Sequence, residues 1–167
     1  MPRRGAIVLA NGCEGDPSSA KDRALLRRAP HLVLDGIALA AHALGAREAV
    51  LALHTGSPLT ALLANALKER EQDPVMVELA EMPPGFVASE STALVNTLNT
   101  GDPRPTGVRT SNKGVRGRPT LVSNVETLAH LALIARFGDD WYRAAGTEGS
   151  PGTMLATVSG AVNRPGV

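Results

Sequence analysis

Three short apolar runs, separated by two stretches of helical periodicity, govern what this chain can become. Residues 6–10 (AIVLA), 48–53 (EAVLAL) and 75–79 (VMVEL) each read as a strand. After the first run, residues 25–28 suit a short helical turn. Pro30 then suits the first turn of a helix, and Leu32, Val33, Ile37, Leu39, Ala40 and Leu44 recur at roughly helical spacing up to Gly45. Between the second and third runs, Ser57 is placed to cap a helix reaching to about Glu71, with Leu59, Leu62, Leu63, Ala66 and Leu67 along one side. Strand, helix, strand, helix, strand in that order implies parallel strands joined by crossovers, with helices packed on the sheet. The expected fold is therefore α/β, a Rossmann-like or flavodoxin-like sandwich on a mostly parallel sheet.

The second half is less regular. Residues 86–88 suggest a short strand and 91–98 a helix. Residues 99–119, with Pro103, Pro105 and Gly114, read as a long loop of the kind that carries function or disorder. Ser123 with Glu126 three residues on forms a capping-box pattern for a helix toward Phe137. Asp139 or Asp140 suits the cap of a short helix through Trp141 and Tyr142, and residues 154–159 read as a last strand. The expected division is a domain over 1–158, with 159–167 opening a following one.

Composition removes several functions. The formal charge is +1, and the aromatic residues are one Trp, one Tyr and two Phe, too few for a surface that stacks nucleic-acid bases. Cys13 is the only cysteine, so the chain can neither form an internal disulfide nor hold a cysteine-ligated iron–sulfur cluster alone. The apolar face over 32–45 is interrupted by Asp35, Gly36 and His42, whereas a membrane span needs about 20 apolar residues. The apolar run near the start is too short for a signal-peptide core. A soluble, cytoplasmic protein is expected, with no nucleic-acid partner and no membrane insertion.

In open α/β sheets, ligands bind beyond the carboxyl ends of the strands. The loop NGCEGDP at 11–17 falls there. Its carboxylates and amide suit hydroxyls and ring N–H groups, as on a ribityl or ribose chain or a flavin edge, and make a poor phosphate cradle. The same residues also serve an ordinary polar turn. Cys13, Glu14 and Asp16 match no standard metal spacing, and no metal ligand set is assigned. Cys13 as a nucleophile needs a base, and nothing in the sequence sets His31, His42, His54 or His130 beside it. Arg104, Arg109, Lys113, Arg116 and Arg118 suit a phosphate, an acidic partner or a plain solvated face.

Four collinear stretches carry a resemblance. LANGCEGDPSSAKDR, PHLVLDGIALAAHALGA, GFVASESTAL and GRPTLVSNVETLAHL resemble, in order, segments of the flavin-carrying, NADH-binding subunit of respiratory complex I (NADH:quinone oxidoreductase) and its soluble hydrogenase and formate dehydrogenase relatives. SGAVNRPGV resembles the opening of the ubiquitin-like domain that follows in that family. The resemblance implies an FMN site, NADH as electron donor, and electrons leaving to an iron–sulfur domain or subunit whose cluster is not in this chain. It also extends the expected location to the inner face of the membrane as part of a complex.

Carried over by position, Asn11, Glu14, Glu90, Asn124 and Thr127 keep the family's residue. Asp16 replaces a Glu, Phe86 a Tyr, Ser89 a Gly and Ser123 an Asn. Cys13 stands in place of an Asp, Ser91 of a Glu, Thr106 of a Lys and Arg109 of a Phe. The resemblance thus places FMN against Asn11, Glu14, Asp16, Phe86, Ser89, Glu90, Ser123, Asn124 and Thr127. Glu14 and Glu90 are expected at the flavin or its water, Asn124 and Thr127 at the ribityl or phosphate end, and Asp16 beside a nicotinamide. The positions facing NADH are mostly changed, which implies a weakened or lost NADH site. The family's glycine-rich loop lies before the segment matched here. Three further readings stand: a non-catalytic structural or docking module, an incomplete fragment, and an unrelated nucleotide-binding protein, the last without any GxGxxG or P-loop pattern.

Overall fold

The computed structural model describes residues 5–167. Strand β1 (Ile7–Asn11) lies at the centre of what they form. Its first four residues are fully buried, as expected of a strand covered on both faces. After it come α1 (Lys21–Arg28), α2 (Pro30–Ala43), β2 (Glu48–His54), α3 (Thr60–Lys68), β3 (Met76–Met82), α4 (Ser91–Thr100), β4 (Thr120–Asn124), α5 (Val125–Phe137) and α6 (Asp139–Arg143). Two short strands, β5 (Gly146–Thr147) and β6 (Ser150–Pro151), form a separate antiparallel pair.

The main sheet runs β3-β2-β1-β4, and every pairing in it is parallel. Side chains alternate across it. Val8, Ala10, Leu51 and Leu53 pack with Leu26, Val33, Ile37, Leu63 and Leu128 from α1, α2, α3 and α5. Ile7, Leu9, Val50 and Ala52 face the other way, onto Leu94 of α4, Cys13, Met82 and Val115. The result is a three-layer α/β/α sandwich, as the alternation of elements predicts. Helices α2 and α5 lie so close that a Cβ on Gly36 would stand 1.9 Å from the Leu128 carbonyl oxygen.

The amino edge of the sheet is tied by charge. Arg118 donates to Glu48 and to the carbonyls of Gly5 and Ala6. Arg116, held at φ 54°, pairs with Glu48 and Glu78.

The structure differs from the expectations in several places. Residues 86–88 do not form a strand. They begin a 3₁₀ turn (Val87–Ser89) in which the Ser89 amide and hydroxyl both donate to the Phe86 carbonyl. Residues 120–124, where the sequence reading has only the end of a long loop at 119 and a cap at Ser123, form the fourth strand. Their pattern is too short to signal itself, and its pairing with β1 is long-range. The cap of α5 is accordingly Asn124, which accepts from the Glu126 amide, and Ser123 belongs to the strand. Helix α3 begins at Thr60, because Ser57 spends its hydroxyl oxygen on the Leu59 amide in a turn before the helix. Residues 154–159 contain no strand, only an isolated bridge from Val158 to Gly166.

Candidate functional site

The chain steps outward from β1 to β2 to β3, then crosses back to place β4 on the other side of β1. The strand order therefore reverses between β1 and β4, and the carboxyl ends of those two strands are the position where sheets of this type take their ligands. Asn11 and Asn124 end the two strands and are register partners there.

Most of the predicted residues reach this edge, but several are already engaged. Asn11 donates through Nδ2 to the Ser89 carbonyl (2.9 Å), and its Oδ1 accepts from the Cys13 amide. Asn124 donates to Asp22 Oδ2 (2.8 Å) and accepts at Oδ1 from the Glu126 amide and Lys21 Nζ. Glu14 turns toward α1, whose own Ncap residue, Ala20, offers no side-chain acceptor. Its Oε1 accepts from Ser19 Oγ and the Asp22 amide, and its Oε2 from the Arg23 amide. Glu90 caps α4, with Oε2 accepting from the amides of Thr92 and Ala93 and from the Thr92 hydroxyl. Burial pushes the Glu90 carboxyl up, but these hydrogen bonds outweigh it and hold it below the ordinary glutamate value.

Asp16 is exposed and its Oδ1 takes both donors of Ser18. Those hydrogen bonds hold its carboxyl below the ordinary aspartate value. Its Oδ2 has no partner among the described residues. Thr127 is exposed in the first turn of α5, and Phe86 is exposed on the 3₁₀ turn. Ser89 crowds the loop after β1, since a Cβ on Gly15 would lie 2.1 Å from its hydroxyl oxygen. The edge thus joins Asn11, Ser89 and Asn124 directly. Glu14 and Asp16 also line a separate cavity of about 220 Å³ with Arg23, His54 and Ser57, on the β2 side of the same loop.

The central cluster was not anticipated from the sequence. Lys21 Nζ bridges Asp22 Oδ1 (2.6 Å) and Glu126 Oε2 (2.9 Å). Glu126 Oε1 accepts from the Leu155 amide, and Thr157 Oγ1 from the Ala20 amide, so residues 155–157 are fastened to the same place. Burial alone would lower the Lys21 ammonium and raise the Glu126 carboxyl. Their contacts win in both cases: Lys21 titrates above its ordinary value, held up by Asp22 and Glu126, and Glu126 below its own, held down by the Leu155 amide and Lys21. The available signal was the acid–base alternation of AKDR, immediately after the loop.

Cys13 is buried, and burial, with Asp22 adding to it, pushes its thiol up to about 12. That leaves it protonated and a poor nucleophile. Of the loop cations, Arg116 and Arg118 sit at the amino edge of the sheet and Arg104 pairs with Asp102. Among the described residues no group of three or more His, Cys, Asp or Glu is placed to hold a metal ion.

Fold and edge together define a doubly wound α/β domain whose strand order reverses at β1/β4. The family described as the Nuo51 FMN-binding domain matches residues 1–133, and the chain belongs to it. It is 34% identical to the NAD-reducing hydrogenase HoxS subunit alpha of Cupriavidus necator, over 96% of this chain and 29% of that protein. It is 32% identical to the mitochondrial NADH-ubiquinone oxidoreductase 51 kDa subunit of Neurospora crassa, over 95% of this chain and 35% of that one. A crystal structure of NAD⁺-reducing [NiFe]-hydrogenase in the H₂-reduced state superposes with a TM-score of 0.91 at 36% identity, covering 99% of this chain and 30% of the other. The chain therefore spans less than half the length of these relatives. Among the described residues no helix is long and apolar enough to cross a membrane.

Proposed function

We propose that this chain is the flavin-holding segment of an NADH-oxidising electron-transfer subunit, with FMN at the β1/β4 carboxyl edge and electrons leaving to an iron–sulfur partner. The observation that carries this reading is the reversal of strand order at β1/β4, with Asn11 and Asn124 paired across it. The donor set suits the cofactor. Asp16 and Glu90 are exposed acceptors that pair with no cation among the described residues, and they match ribityl hydroxyls and a ring N–H. Thr127 and the first turn of α5 offer donors to a phosphate. Asn11, Ser89 and Asn124 shape the floor through their mutual contacts. Bound FMN supplies hydride acceptance and stepwise release of electrons. The protein's part is to hold that edge rigid. Lys21 fixes Asn124 and Glu126, and the capping carboxylates Glu14 and Glu90 fix the loop and helix starts on either side.

Positions that the resemblance turns toward NADH differ here: Asp16, Phe86, Ser91, Thr106 and Arg109. A site stripped of matched polar partners discriminates against its former ligand, so NADH binds this chain more weakly than it binds the relatives. Residues 159–167 open a following domain in this reading.

A second reading, a non-catalytic docking module, is favoured by one observation. Asn11, Glu14 and Asn124 are engaged within the protein, so the edge supports itself without a cofactor.

Titrating the purified chain into FMN while following flavin fluorescence separates the two. Saturable quenching that weakens about tenfold in Asp16→Ala or Thr127→Val, exposed residues whose loss leaves the folded protein intact, supports the flavin module. Absence of quenching by a folded chain overturns it and leaves the docking module. Bleaching of the bound flavin by NADH without oxygen then tests the donor.

A further inference from the structure

Two walls of the carboxyl edge touch each other. Loop 11–17 leaves the end of β1. The 3₁₀ turn Val87–Ser89 follows the outermost strand, β3, and comes back to the end of β1, where Asn11 Nδ2 donates to the Ser89 carbonyl (2.9 Å). Between loop and turn, Gly15 faces Ser89. A Cβ on Gly15 would overlap Ser89 Oγ, and it would lie 3.0 Å from the Phe86 carbonyl oxygen and 3.1 Å from Ser89 Cβ. The gap has no room for one methyl group. A planar ring in contact on both faces needs walls about 7 Å apart, twice the ordinary contact distance.

The closure depends on one side chain. Ser89 Oγ donates to the Phe86 carbonyl (2.7 Å), which holds the hydroxyl on the side of the turn that meets Gly15. The turn is joined to β3 through Pro83, Pro84 and Gly85. Gly85 stands at φ 138°, a backbone conformation that suits glycine, and it follows two residues of fixed φ, so it is the natural pivot. At the mouth of the slot, Phe86 is 73% exposed and Val87 55%. Adjacent large apolar side chains left in water beside the site suit a flat apolar ligand.

We infer that the Ser89 side chain determines whether a planar ring enters between loop 11–17 and the 3₁₀ turn. It shuts that slot, and the turn must swing about Gly85 to admit a ring. The ring concerned is the isoalloxazine of the flavin, so the inference rests on the flavin reading above. Ser89 thereby sets the affinity of the edge for a flavin.

Titration of FMN, followed by its fluorescence, with the 167-residue chain and its Ser89→Gly and Ser89→Thr variants tests this. Ser89→Gly should bind FMN about tenfold more tightly than the unaltered chain, and Ser89→Thr more weakly, with circular dichroism unchanged in both. Cys13 gives a readout without ligand. It is buried two residues before Gly15, packed with Leu94 of α4. A thiol reagent should label it several-fold faster in Ser89→Gly, because loop 11–17 has lost its stop and opens more often. Equal FMN affinity in the unaltered chain and Ser89→Gly overturns the inference and leaves the flavin reading standing. An unchanged labelling rate overturns it as well. Failure of all three folded chains to bind FMN overturns the flavin reading itself, and the inference falls with it.

Discussion

The two edges of the sheet solve the same problem differently. Both must finish four parallel strands whose terminal polar groups need partners. At the amino edge two long guanidinium groups do it: Arg118 reaches Glu48 and two backbone carbonyls, and Arg116 spans Glu48 and Glu78. At the carboxyl edge short side chains do it: carboxamides and carboxylates cap helices and bind backbone amides within a few residues. The first arrangement fastens strands together. The second holds several loops close together while keeping their tips, Asp16 and Thr127, in solvent. In the proposed flavin reading, it is the second end that carries the ligand.

The largest effect that tests this contrast is expected from Arg118→Ala. It strips Glu48 and two carbonyls of a nearly buried partner and should cost about 3 kcal/mol in urea unfolding. FMN affinity of the remaining folded protein should not change. Lost affinity without lost stability would break the division of labour. Gly15→Ala comes next, at about 2 kcal/mol, since the new methyl meets the Ser89 hydroxyl and the Phe86 carbonyl. Thermal melts of the double variant Gly15→Ala, Ser89→Gly should recover most of that loss. Glu90→Ala removes the α4 cap and should cost about 1 kcal/mol by the same measurement.

Acid titration sharpens the contrast further. The Glu126 carboxyl titrates below its ordinary 4.5. A depressed carboxyl contributes stability that is complete above the unfolded-state value and is lost as pH falls through the folded-state one. Urea midpoints should therefore fall as the solution is acidified from about pH 5 downward, and Glu126→Gln should flatten that slope. The smallest effect is at Cys13, where a thiol reagent near neutral pH should label the native chain far more slowly than the unfolded one.

The parts of the fold visible in the sequence are those written in local pattern. Residues 6–10 and 48–53 show their burial as short apolar runs and 30–44 through helical period, and the alternation of elements gives the parallel sheet. Strand β4 escapes because TLVSN has no periodicity of its own and becomes a strand only through β1, more than a hundred residues away in sequence. The same long-range pairing moves the α5 cap from Ser123 to Asn124. At the candidate site, residue types pointed to the carboxyl edge of the sheet, but their partners did not show. Glu14 and Glu90 carry the carboxylates expected of a polar ligand loop, and the structure turns both toward helix amides. Nothing in the spacing of AKDR and NVET says that Lys21 meets Glu126 across the fold. In a linear reading Arg116 and Arg118 suit a phosphate, an acidic partner or a plain solvated face, and only the topology sends them to the amino edge.

The fastening of residues 155–157 at the carboxyl edge has a mechanical consequence. Two hydrogen bonds, Leu155 to Glu126 and Thr157 to Ala20, tie the outgoing chain to the heads of α5 and α1. A pull on the polypeptide beyond Val158 is borne first by the Thr157–Ala20 hydrogen bond and then by the Glu126 carboxylate, and through Lys21 it bears on Asn124. The route by which force leaves this domain therefore runs through the candidate site itself.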